Sequence, residues 1–248
     1  MRHLDLRITP AIGNRAGLHG TTWGRKDGAL SRIFVGDLTT EADLREDWVI
    51  THEMVHLAFP NMTSDHHWIE EGIATYVEPI ARAELGTLDV KTVWGELVKG
   101  LPDGLPQAGD EGLDHTHTWG RTYWGGALFC LLADVQIRQR TANKHGLQDA
   151  LRAILDAGGS IEVDWPLTRA LAAGDAGVGV PVLMQLYDGM KAAPVHPDLG
   201  ALWKKLGVKV EGGALTFDDS APLAAVRRAI TARPRAAPLR SVAAAPAD

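Results

Sequence analysis

The sequence predicts an α+β fold, a small N-terminal β-sheet followed by a mainly helical half, on three observations. Residues up to about 38 are β-rich, with segments that alternate in the two-residue period of a strand. From Thr40 the apolar residues recur at helical spacing instead. Helical patterns then dominate to about residue 190. The chain has 248 residues, 45% hydrophobic and 23% charged, which suits a globular protein with a real core.

The elements follow in chain order. His3 to Thr9 alternates, and Ala29–Gly36 reads as a strand bounded by glycines. Thr40 with Asp43 fits a capping box. Leu44, Trp48, His52, Val55 and Phe59 form one helical stripe, and Ile50, Met54 and Leu57 a second. One helix, buried on most sides and stopped by Pro60, is therefore expected. A second should run from Ser64–His67 toward Leu85-Gly86, with Pro79 kinking or splitting it. Lys99–Asp114 is turn-rich and reads as a loop. Further helices are predicted at roughly Tyr123–Arg140 and Gly146–Asp156. Past Pro197 come a short helix, a hairpin turning at Gly212-Gly213 and a last helix near Ala221–Thr231. The expected organisation is one domain over 1–233: about 1–38 β-rich, 40–190 mainly helical, 197–233 hairpin and last helix. The Ala- and Pro-rich residues 234–248 are expected to form a disordered tail.

A net charge of -6 with scattered Lys and Arg argues against nucleic-acid or anionic-membrane partners, which call for basic patches. No stretch approaches the ~18 consecutive apolar residues of a membrane helix, and the N-terminus lacks the apolar core of a signal peptide. A soluble chain is expected, cytoplasmic, or periplasmic or secreted if a leader has been removed. Nothing in the sequence indicates an oligomeric state. The single cysteine, Cys130, lies in the apolar run ALFCLLA and reads as a packed core thiol.

The stretch Thr51–Pro60, THEMVHLAFP, contains His-Glu-x-x-His. Residues four apart share a helix face, so His52 and His56 can present two imidazoles to one ion. Glu53 is rotated by about 100° from His52, which places its carboxylate beside a metal and suits a general base. The motif arises by chance in roughly 2% of such sequences. A third ligand strengthens it: Glu71, in WIEEGIATYVE, heads a helix that can turn back on the first. Acidic residues also favour a first helical turn for electrostatic reasons alone. The metzincin pattern fails, because Phe59 and Met62 stand where it needs Gly and His. His66-His67 and His115-x-His117 are expected to be solvated loop histidines, with a substrate-side role as the alternative. Glu78, seven residues after Glu71 on the same face, is a candidate to orient a ligand imidazole, with a plain exposed or capping glutamate as the alternative. Asp134 and Arg138 read as a structural pair.

HEMVH followed by WIEEGIATY resembles the gluzincin metallopeptidases, whose pattern is HExxH, a spacer, then W-x-x-E-G-x-A-x-Y. Arg121–Thr141, RTYWGGALFCLLADVQIRQRT, is similar to the YxKGAL…LLDxxIRxxT segment of the glycyl aminopeptidase (M61-type) branch. The resemblance runs from about Gly20 to Thr231 and implies a minimal catalytic domain without the PDZ module. It implies a thermolysin-like fold, one catalytic zinc held by His52, His56 and Glu71, and Glu53 as general base. It also implies Tyr123 as hydrogen-bond donor to the developing oxyanion, and a peptide or protein substrate. Two departures stand out: Gly125 replaces the lysine of YxKG, and Gly20-Thr21-Thr22-Trp23-Gly24 lacks the acid of the exopeptidase G-x-[ML]-E strand. Aminopeptidase and endopeptidase action therefore both stay open. The rival reading is a catalytically silent peptide-binding module that retains the fold.

Overall fold

Three strands at the start of the chain pair in the order β1-β3-β2. β1 (Leu4–Ala11) runs parallel to β3 (Gly28–Gly36), and β2 (Gly17–Arg25) runs antiparallel to it on the other side. The computed structural model describes residues 3–15 and 17–233. The expected tail at 234–248 lies outside the described residues. Central β3 buries Ala29, Leu30, Ser31 and Ile33, whereas Leu6 and Ile8 of β1 are half exposed. β3 is paired on both edges, and its residues are buried apart from exposed Arg32 and half-buried Phe34 and Val35. β2 is an edge strand and packs on the helix that follows the sheet.

That helix departs from the expected single unit. The Thr40–Asp43 capping box is present, but it starts a short α1 (Glu41–Glu46). Asp47 is extended (φ -70, ψ 138), and its Oδ1 accepts from the Val49 amide at 2.8 Å, so α2 (Val49–His56) begins afresh. Leu44 and Trp48 stay exposed, and the buried face of α2 is Val49, His52 and Glu53. α3 (His67–Leu85) also differs: it runs unbroken through Pro79 to a left-handed cap at Gly86 (φ +81). Tyr76, Glu78 and Ile80 around the proline are buried, so tertiary packing holds the helix across the missing N–H.

α4 (Val90–Gly100), capped by Asp89, and a 3-10 turn at Leu101–Gly104 reach into the turn-rich segment Lys99–Asp114, so its first residues are helical rather than loop. A π-helical turn, Arg121–Gly125, leads into α5 (Gly126–Arg140). α6 (Leu147–Asp156), α7 (Leu167–Val178), α8 (Val182–Met190) and α9 (Leu199–Leu206) complete the helical part. The hairpin β4 (Val208–Glu211) and β5 (Ala214–Phe217) turns at Gly212-Gly213, both at positive φ, and α10 (Ala224–Ile230) follows. Among the described residues no helix is long and apolar enough to cross a membrane.

α3 and α5 meet at the centre of the core. A Cβ on Gly72 would fall 2.3 Å from Gly126 Cα, and one on Gly126 would fall 2.1 Å from the Trp68 carbonyl oxygen. Only glycine allows this approach. Trp68 then meets Phe129 edge-on, with ring centroids 5.3 Å apart. Below them Asp134 accepts from Tyr76 Oη at 2.9 Å, Arg138 Nε at 2.7 Å and the Leu147 amide at 2.9 Å. The Asp134–Arg138 pair is therefore structural and buried. Cys130 is buried beside it, and burial pushes its thiol up, away from reactivity.

Candidate metal centre and cleft

α2 and α3 pack so that His52, His56 and Glu71 converge, with one ligand atom of each within 4.8 Å of the others. His52 Nε2 lies 3.1 Å and His56 Nε2 3.9 Å from Glu71 Oε2. Ligands ~2.0–2.1 Å from a tetrahedral zinc stand about 3.3 Å apart. Two imidazoles and a carboxylate at these separations suit such an ion. Burial lowers His56 to about 4, which keeps the neutral imidazole that a metal needs. Burial alone would raise the Glu71 carboxyl, but the His52 hydrogen bond and nearby His56 and His67 outweigh it and hold it down.

Glu53 points from α2 toward the sheet. Burial raises its carboxyl, and a hydrogen bond from Thr22 opposes that. Thr22 Oγ1 is 2.6 Å from Glu53 Oε2 and 3.0 Å from Ser31 Oγ. Gly20, two residues earlier on the same face of β2, lets the strand come close: a Cβ there would fall 2.4 Å from Glu53 Cγ. Thr22 was missed in the sequence, where the segment stood out only for its missing acid. The strand period does put Gly20 and Thr22 on one face.

Tyr123 sits in the π-helical turn, its ring stacked on Trp119 at 5.7 Å and on His52 at 6.4 Å. Burial, then the neighbouring Glu71, raise its phenol to about 12, so it carries its proton at neutral pH. Arg121 anchors the turn: it is 1% exposed, donates to the Gly104 carbonyl at 2.6 Å and pairs with Asp110 at 2.7 Å. π turns often mark functional sites, because the extra residue re-aims a side chain.

Other candidates take different places. Glu78 is buried, and its Oε1 accepts from Arg82 at 3.0 Å; among the described residues no hydrogen bond joins it to an imidazole. His66 and His67 are not free loop residues. His66 Nε2 meets Tyr187 Oη at 3.2 Å, and Tyr187 donates to Asp114 at 2.7 Å. His67 opens α3 with Nε2 3.4 Å from Glu71 Oε1. His115 and His117 are exposed, as expected.

Two clefts meet at these residues. One, about 610 Å³, lies between β2 and α3 and includes Thr22, Glu53, His56 and His67. The other, about 940 Å³, opens between α3, α4 and the π turn. Trp48, His52 and Tyr123 line both. Neither any model of a known protein family nor any curated protein matches the chain.

Proposed function

We propose that the chain is a zinc-dependent metallopeptidase of thermolysin-like arrangement, in which His52, His56 and Glu71 hold the ion. The convergence of those three donors beside Glu53 carries the reading. When bound, zinc supplies Lewis acidity, which brings the pKa of a ligated water to about 7 and polarises a carbonyl. The chain's own residues supply the rest. Glu53, held by Thr22, takes a proton from the attacking water and returns it to the leaving amine. Tyr123, protonated and facing the same space, donates its O–H to the carbonyl oxygen as negative charge develops there. β2 runs along one cleft with its outer edge unpaired among the described strands, so an extended peptide has a strand to lie beside.

The test joins metal content to turnover. Purified protein should hold one zinc per chain and cleave members of a peptide library read by mass spectrometry. Glu53→Gln should keep the zinc and lose about 10²–10⁴ in rate. Zinc-loaded wild type that cleaves nothing, or a Glu53→Gln variant as active as wild type, would sink the proposal. The first outcome would leave the silent peptide-binding module.

A further inference from the structure

β1 forms the edge of the sheet opposite β2, with no strand beyond it among the described residues. The Ala29 amide bonds to the His3 carbonyl at 2.9 Å, and the Asp37 amide to the Ala11 carbonyl at 3.2 Å. Backbone groups alternate in direction along a strand, so the odd-numbered residues of β1 turn theirs toward β3. Leu4, Leu6 and Ile8 therefore turn an amide and a carbonyl outward, and Pro10 a carbonyl alone. Among the described residues no hydrogen bond reaches these outward groups. The side chains are as open as the backbone. The register sets Leu6 beside Ser31 and Ile8 beside Ile33, on the face where α2 packs over β2 and β3. Ser31 and Ile33 are 0% exposed, whereas Leu6 and Ile8 are 47% and 54% exposed. Asp5 and Arg7 stand on the other face, paired at 3.0 Å.

Whatever fills this edge has to match the order Leu4-Asp5-Leu6-Arg7-Ile8. Its apolar residues are symmetric about Leu6, and its charges are opposite in sign across it. The strand is therefore complementary to itself when reversed. An antiparallel copy centred on Leu6 sets Leu6 against the partner's Leu6, Leu4 against the partner's Ile8, and Asp5 against the partner's Arg7. Outward backbone groups meet at the Leu6 pair and at both Leu4–Ile8 pairs, where the strands exchange hydrogen bonds. Pro10 lies beyond the last of these pairs, so its missing N–H costs nothing. Moving the centre to Asp5 or to Arg7 would set Asp5 against Asp5 or Arg7 against Arg7. Like charges directly opposite are destabilising, so one register is selected. An unrelated extended peptide could use the backbone groups but would not match the charges.

We propose that β1 is a dimerisation edge, to which a second copy of this chain adds its own β1 antiparallel about Leu6. The joined sheet runs β2-β3-β1 and continues into β1-β3-β2 of the partner. Leu4, Leu6 and Ile8 form one apolar ladder across the join, and the Asp5–Arg7 pairs lie on the opposite face. The two-fold axis uses up both β1 edges, so assembly stops at two. β2 and the cleft beside it lie at the far edges and stay open. The proposal needs neither the metal nor hydrolysis.

Sedimentation equilibrium on the full chain should show monomer and dimer exchanging with a dissociation constant on the order of micromolar. Asp5→Arg and Arg7→Asp each set like charges opposite across the join, and each should weaken the dimer about tenfold or more. Mixed in equal amounts, the two variants become complementary at both charged pairs. Native mass spectrometry should then find the mixed dimer in excess over either variant's own dimer, which also shows that both variants are folded. Hydrogen exchange on the wild type gives a reading without substitutions: the Leu4, Leu6 and Ile8 amides should exchange slowly above the dissociation constant and fast below it. A wild type that stays monomeric at ~100 times a micromolar concentration, or variants that dimerise as it does, would overturn the proposal. So would a mixture with no excess of mixed dimer, or exchange along β1 that does not change with concentration.

Discussion

Thr22 on the edge strand donates its hydroxyl to Glu53 on α2 across 2.6 Å, and the same oxygen meets Ser31 on the central strand at 3.0 Å. The sheet therefore fixes the rotamer of the proposed base, and Ser31, 0% exposed, fixes the threonine. Thr22→Val keeps the shape and removes the hydroxyl. We expect kcat to fall about tenfold with little change in KM, and Thr22→Ser to restore it. Equal kcat in Thr22→Val and wild type would show that Glu53 needs no such support.

Metal removal should register as lost stability, independent of any substrate. Free zinc at ~1,000 times its Kd stabilises by about 4 kcal/mol, which for a chain of this size is roughly 8–16 °C in melting temperature. Scanning calorimetry with and without chelator should show a drop of that order, reversed by added zinc. His56→Ala should melt alike in both conditions. A wild-type melting temperature insensitive to chelator would remove the metal from the description of the site.

Tyr123→Phe deletes one donor and leaves the ring on Trp119 and His52. Because the donor acts on charge that develops only during reaction, the loss should fall on kcat, by about 10²–10³, with KM and zinc content unchanged. Steady-state kinetics on one cleaved peptide decide it. A change confined to KM would assign Tyr123 to binding.

Asp134 tests the support beneath the site. Asp134→Ala leaves the buried Arg138 without its carboxylate, with Gln148 still accepting from it, and frees the Tyr76 hydroxyl and Leu147 amide, so about 3–5 kcal/mol of stability should go. Asp134→Asn keeps one carbonyl acceptor and should cost less. Urea midpoints measure both. A loss under ~1 kcal/mol in the alanine variant would mean that the network is replaceable by water.

The strand-then-helix division and the histidines of the candidate donor group were legible because each is periodic. Ala29–Gly36 is a largely apolar run bounded by glycines, and His52 and His56 repeat at the helical step. What escaped depends on contacts between elements. Leu44, Trp48 and His52 continue one helical stripe, yet Leu44 and Trp48 stay 41% and 50% exposed, and Asp47 caps a new helix there. Pro79 is a breaker by its own chemistry, but the burial of its neighbours overrides it. His67 read as a loop residue, yet it opens α3 and meets Glu71 one turn on within that helix. Tyr123 was reached by resemblance alone, since a π turn has no period in the sequence. Glu78 was noticed for its spacing, but the cleft it faces is assembled from α3, α4 and the π turn.

Gly72 directly follows Glu71, and Gly126 comes three residues after Tyr123. Their contact sets how near the helix bearing the carboxylate comes to the one that continues the tyrosine turn. A methyl on either side would push the two apart and widen the gap between Glu71 and Tyr123. Related chains sharing this geometry would then carry a linked pair of smallest residues at those two places. That pair is a signature separate from the histidines, and it would identify related scaffolds whatever donors they carry.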